Sequence, residues 1–185
     1  DANLFSSIDD SQNKDAATRL QWKQLVIDAN WKLSSDLTYE FTGQHFKTPQ
    51  RFQSVEFNRD WNSVNASGNR NLFTLRLHLR NKKKSVYTYG INRMNYGSSY
   101  DGVKHDFKST TRLKKTVIKT NMSLLKSSNL AEKNSFTRIK GTIEHSLNNA
   151  WIGGYVDTET NKKQLKTTQE LTNISHQFKE YETYI

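Results

Sequence analysis

The chain has 185 residues and a formal net charge of +10, with 34% apolar and 11% aromatic residues. It has no cysteine, which excludes disulfides and thiolate metal sites. No apolar run approaches the ~20 residues of a transmembrane helix, and no signal peptide is visible. The aromatic content argues against a disordered chain.

Residues 1–18 are polar and lack a clear period, so a flexible lead-in or loop is expected there, ahead of one β unit over 19–185. Asp9, Ser11, Asn13 and Asp15 have the spacing of an acidic cation loop, but the EF-hand glycine and terminal Glu are missing. From Trp22 to His45 apolar and polar residues alternate on both sides of Ser34-Ser35-Asp36. This predicts a hairpin turning there, with Leu33 opposite Leu37 and Trp31 opposite Tyr39. Residues 46–70 read as a long connection containing Glu56, Arg59, Asp60 and Trp61, a polar-aromatic cluster suited to a binding lip or to local salt bridging.

The next hairpin places Phe73, Leu75, Leu77 and Leu79 on one face, with Tyr87, Tyr89 and Ile91 across the lysine turn at 82–84. Thr74, Arg76, His78 and Arg80 take the other face. After a loop over 95–102, a turn at Lys114-Lys115 pairs Thr111 with Ile118 and Phe107 with Met122. Residues 126–134 read as a polar loop. In the hairpin over 135–159, Asn148-Asn149 suits a two-residue turn because Asn tolerates φ > 0. That register sets Gly141 against Val156, Lys140 against Asp157 and Arg138 against Glu159. A turn at 160–163 and a weakly alternating stretch over 164–178 follow. The chain then ends at Ile185 in what reads as strand, which suggests a fragment of a longer protein.

The expected architecture is all-β, an up-and-down antiparallel meander of about nine to ten strands. Eleven residues at about 3.3 Å, tilted near 40°, span roughly 27 Å, close to the apolar band of a membrane β-barrel. An outer-membrane barrel segment is therefore preferred, with Leu25, Ile27, Leu33, Phe41, Leu75, Leu77, Leu79 and Ile91 toward lipid. Asn30, Glu40, Arg76, His78, Arg80 and Lys140 would line an aqueous lumen. A mean hydropathy of −0.87 keeps a soluble secreted module for glycan or another polyanion as the alternative.

Three strings carry a resemblance: Val55-Glu56-Phe57-Asn58-Arg59-Asp60-Trp61-Asn62, Tyr87-Thr88-Tyr89-Gly90-Ile91-Asn92-Arg93 and Ser175-His176-Gln177-Phe178-Lys179-Glu180-Tyr181-Glu182. Over roughly residues 20–185 the chain resembles poorly characterised outer-membrane β-barrel proteins of Bacteroidetes-type bacteria. The resemblance implies location and architecture and supplies no activity. Outer-membrane lipid and other outer-membrane proteins would then be the partners.

No chemistry stands out. The five histidines are dispersed, without zinc spacing, and no nucleophile elbow or phosphate-binding glycine loop is present. No cofactor, metal or catalytic residue is expected, and His145 beside Ser146 is the one weak hint of a barrel-borne hydrolase. Nucleic acid is not expected as a partner, because the aromatics share a face with Leu and Ile while the cations lie on the other.

Overall fold

A computed structural model describes residues 2–8, 14–28, 30–46, 61, 63, 66–82, 84–148, 150–165 and 173–184. Ten antiparallel strands form one sheet in which every strand pairs with its neighbours in sequence. They are β1 (Ala2–Ile8), β2 (Lys14–Ile27), β3 (Trp31–Thr42), β4 (Arg70–Asn81) and β5 (Val86–Tyr96). After them come β6 (Tyr100–Leu113), β7 (Thr116–Asn129), β8 (Glu132–Ser146), β9 (Trp151–Leu165) and β10 (Asn173–Tyr184). The all-β meander expected from alternation is what the chain adopts. The sheet is not closed: among the described residues, β1 and β10 are its two edges.

The β8–β9 register is the expected one, with Gly141 opposite Val156, Lys140 opposite Asp157 and Arg138 opposite Glu159. Leu147 N–H donates to the Ala150 carbonyl at 2.8 Å and closes that hairpin. Leu79 faces Tyr87 and Leu75 faces Ile91 in β4–β5. In β6–β7, Phe107 faces Met122.

The hairpin expected around Ser34-Ser35-Asp36 turns elsewhere. Asp28 N–H donates to the Trp31 carbonyl at 2.9 Å, and Ser34 to Asp36 lie within β3. A polar triplet is tolerated in mid-strand because Asp36 finds donors: across the ladder Gln21 Nε2 lies 3.1 Å from each carboxylate oxygen, and within β3 Thr38 Oγ1 lies 3.3 Å away. Moving the turn changes the parity of β2. Leu25 pairs with Ser34 and Ile27 with Lys32, on the polar side, so both leave the apolar face expected for them.

Other strands run longer than expected. The lead-in carries β1 and the start of β2, with Phe5 paired to Ala17. The loop expected over 126–134 shrinks to Leu130-Ala131, and the one over 95–102 to residues 97–99. Residues 160–163 belong to β9 rather than to a turn. In each case strand pairing satisfies backbone groups that polar composition alone would assign to solvent.

Residues paired across the sheet point to the same side, so the registers define two faces. One row of the first face runs Gln24, Ser35, Leu77, Tyr89, Phe107, Met122, Ile139. The next runs Trp22, Leu37, Leu75, Ile91, His105, Leu124, Thr137. On the second face a central row runs Lys23, Asp36, Arg76, Gly90, Asp106, Ser123, Arg138, Glu159. We call these the apolar and the ionic face.

The two faces differ in exposure. The buried strand residues, including Thr38, Met94, Leu125, Ser127, Asn134 and Asp157, all point to the ionic side. The exposed large hydrophobics in strands stand on the apolar side, apart from Leu25, Ile27 and Trp151. Trp22 is 53% exposed, Ile143 51% and Met122 40%.

Candidate functional site: the ionic face and its docked segment

The ionic face is built from alternation itself. Each long strand contributes every second residue, and most of those residues are polar or charged through the middle of the sheet. Several of the charged ones are paired. Glu40 pairs with Arg19 at 3.4 Å and with Arg70 at 3.9 Å, and Lys119 pairs with Glu144 at 2.8 Å. Asp106 accepts from Ser123 Oγ at 2.8 Å and lies 3.9 Å from Lys104. Arg138 grips Asp157 with two bonds, Nη2 at 2.7 Å and Nε at 3.2 Å, while Lys140 lies 3.6 Å from the same carboxylate. Lys140 also sits 5.4 Å above the Tyr155 ring.

Of the expected lining residues, Glu40, Arg76, His78, Arg80 and Lys140 lie on this face. His78 Nδ1 is 3.1 Å from Thr88 Oγ1. Asn30 does not join them. It lies in the β2–β3 connection, outside the strands, and its carbonyl accepts from Lys82 N–H at 3.2 Å. The alternation of β2 that would carry Asn30 onto this face stops at Ile27, where the turn begins.

In the loop cluster, Glu56, Arg59 and Asp60 lie outside the described residues, whereas Trp61 is buried. Trp61 packs with Met94, Tyr100 and Leu125, and Ala66, Leu72, Tyr96 and Phe136 pack around them. The strand members of this cluster all project from the ionic side, at the end where residues 43–69 join β3 to β4. Polar bonds fasten the segment. Tyr100 Oη donates to the Trp61 carbonyl. Ser67 N–H donates to Ser99 Oγ at 3.0 Å, Ser99 Oγ donates to the Ser67 carbonyl at 2.6 Å, and Gly97 N–H donates to the Asn69 carbonyl at 3.2 Å. A mostly polar face thus ends in an apolar socket filled by a tryptophan.

Leu72-Phe73 and Leu124-Leu125 are consecutive apolar pairs in mostly alternating strands, which puts Leu72 and Leu125 on the ionic side, where they join the socket. Gly102 completes it, since a Cβ there would fall 2.9 Å from Tyr100 ring carbons.

His145 and Ser146 are adjacent in β8 and therefore point to opposite faces. His145 Nδ1 is 2.8 Å from Thr116 Oγ1, and Ser146 Oγ donates to the Leu147 carbonyl at 3.2 Å, so the two share no hydrogen bond. Among the described residues no group of His, Asp or Glu is arranged to hold a metal ion. Comparison with family models, with curated proteins and with solved structures finds no match.

Proposed function

We propose that this chain is a segment of an outer-membrane β-barrel that acts as a passive scaffold or pore, its apolar face toward hydrocarbon and its ionic face around water. The observation that supports this is the inversion of the two faces. Monomeric soluble proteins rarely leave contiguous apolar patches beyond a few hundred Å² open to water. Here aliphatic and aromatic side chains stand open across successive strands, while Ser127, Asn134 and Asp157 are sheltered.

On this reading the rows from Thr116 to Leu124 of β7 form a span of about 27 Å along the strand, or roughly 20 Å after a tilt near 40°. Within it the described side chains of the apolar face carry no Lys, Arg, Asp or Glu. Arg76, Arg80 and Lys140 would set which solutes pass or dock along the ionic face, and the Trp61 segment would narrow one end. The edges at β1 and β10 would be covered by further strands. The resemblance of the three strings to outer-membrane barrel proteins agrees with this reading.

Fractionation tests it. The protein should partition into outer membrane and show heat-modifiable gel mobility. A monomer fully soluble without detergent would overturn the barrel and favour a secreted polyanion-binding sheet.

A further inference from the structure

We infer that a cation triad on the apolar face, Lys126, Lys133 and Lys162 around Ser135, binds the phosphate-bearing headgroup of a membrane lipid. The inference rests on the membrane-barrel reading above. Among the described side chains of β2–β9, the charged residues on the apolar face are Arg93, Asp101, Lys126, Lys133 and Lys162. All five fall in two neighbouring rows at one end of the sheet, the end that carries connection 43–69.

Arg93 and Asp101 satisfy each other at 3.3 Å. The three lysines have no carboxylate within ion-pair distance among the described residues. Ser135 is paired with Lys126 on one side and Lys162 on the other, and Lys133 stands two residues along the same strand. Strand spacing puts Lys126 and Lys162 about 10 Å apart at Cα, with Lys133 about 7 Å from Ser135. Three lysines and a serine thus fall together on neighbouring strands. A cavity of about 900 Å³ opens there, lined by these four residues together with His105 and Asp101 among others.

The neighbouring rows choose the ligand. Leu124 precedes Lys126 by two residues on the same face, and Val103 is paired with Lys126. A free anion would use the lysines and leave the leucine rows untouched. A lipid uses both, its phosphate among the ammonium groups and its chains along the hydrocarbon-facing rows. Basic side chains beside a bilayer surface attract anionic headgroups. The pairing is therefore with a phosphorylated amphiphile.

The test uses the full chain in phosphatidylcholine vesicles, with and without a phosphorylated glycolipid of the lipid A type. Three proteins are compared: the parent, Lys126→Gln/Lys133→Gln/Lys162→Gln, and a control carrying Lys82→Gln/Lys84→Gln/Lys115→Gln at the opposite end. All three should insert into phosphatidylcholine alone with equal yield. After detergent extraction the parent and control should retain the glycolipid, and the first triple variant should retain at least about tenfold less. Equal retention by all three overturns the site while leaving the barrel standing. So does displacement of the glycolipid by inorganic phosphate at equal concentration. Failure of every protein to insert overturns the barrel reading and this inference together.

Discussion

Tyr100 donates its phenolic proton to the backbone carbonyl of Trp61, thirty-nine residues away in sequence. The bond joins the start of β6 to the segment that covers one end of the ionic face. Tyr100 is 2% exposed, so a carbonyl stripped of this donor finds little water to replace it. Tyr100→Phe should weaken docking by about 1–3 kcal/mol and leave the sheet intact. Chymotryptic cleavage after Trp61 should accelerate while the far-ultraviolet β signature stays unchanged. Gly102→Ala should do the same although the hydroxyl is retained, because the new methyl would push the Tyr100 ring away. If neither change alters the cleavage rate, the segment is held by something else.

Arg76 and Leu77 are sequence neighbours on opposite faces, so under the proposed barrel reading they report which face meets lipid. Leu77 stands between Ser35 and Tyr89, and Arg76 between Asp36 and Gly90. A cation moved to the hydrocarbon side near mid-bilayer costs about 2–4 kcal/mol. Leu77→Arg should therefore sharply reduce assembly into vesicles, whereas Arg76→Leu should assemble with near-parent yield. The reverse order would mean that the ionic face looks outward.

Lys114 has φ 48°, a left-handed conformation that side chains with a Cβ resist. Lys114→Gly should raise stability by roughly 0.5–1 kcal/mol, as relief of that strain exceeds the added freedom of the unfolded chain. Lys115 has no positive φ, so Lys115→Gly should lower stability instead. Urea midpoints of the two variants must move in opposite directions for this account to stand.

Alternation made most of the sheet readable, because a two-residue turn fixes register and register fixes both faces. The β8–β9 and β6–β7 registers follow directly from the sequence, as does the shared face of β4 and β5. What it hid was competition between a turn and a ladder. Ser34-Ser35-Asp36 has turn composition, yet Gln21 and Thr38 supply the donors that keep Asp36 within a strand. The Gln21 contact spans fifteen residues and leaves no local trace. The misplaced turn then carried Leu25, Ile27 and Asn30 to the wrong places. The Trp61 socket was hidden differently: Leu72, Met94, Leu125 and Phe136 come from four strands and converge only once the registers are known. Five of the six residues expected to share a face do so, because that placement needs only parity.

The Arg138–Asp157 pair is asymmetric, and the asymmetry can be measured. The Asp157 side chain is 5% exposed and the Arg138 side chain 50%. Arg138→Ala leaves a sheltered carboxylate with Lys140 at 3.6 Å as its remaining ion-pair partner among the described residues. Leaving a buried acceptor under-satisfied costs about 1–3 kcal/mol. Asp157→Asn instead releases two half-exposed cations that water can solvate, and pairs of that kind are worth about 0–1 kcal/mol. The arginine variant should therefore show the larger drop in urea midpoint after refolding into vesicles. Its deficit should persist in 1 M salt, since screening acts through solvent and Asp157 sees little of it. An equal loss in both variants, erased by salt, would mean that the Asp157 carboxylate is hydrated rather than sheltered.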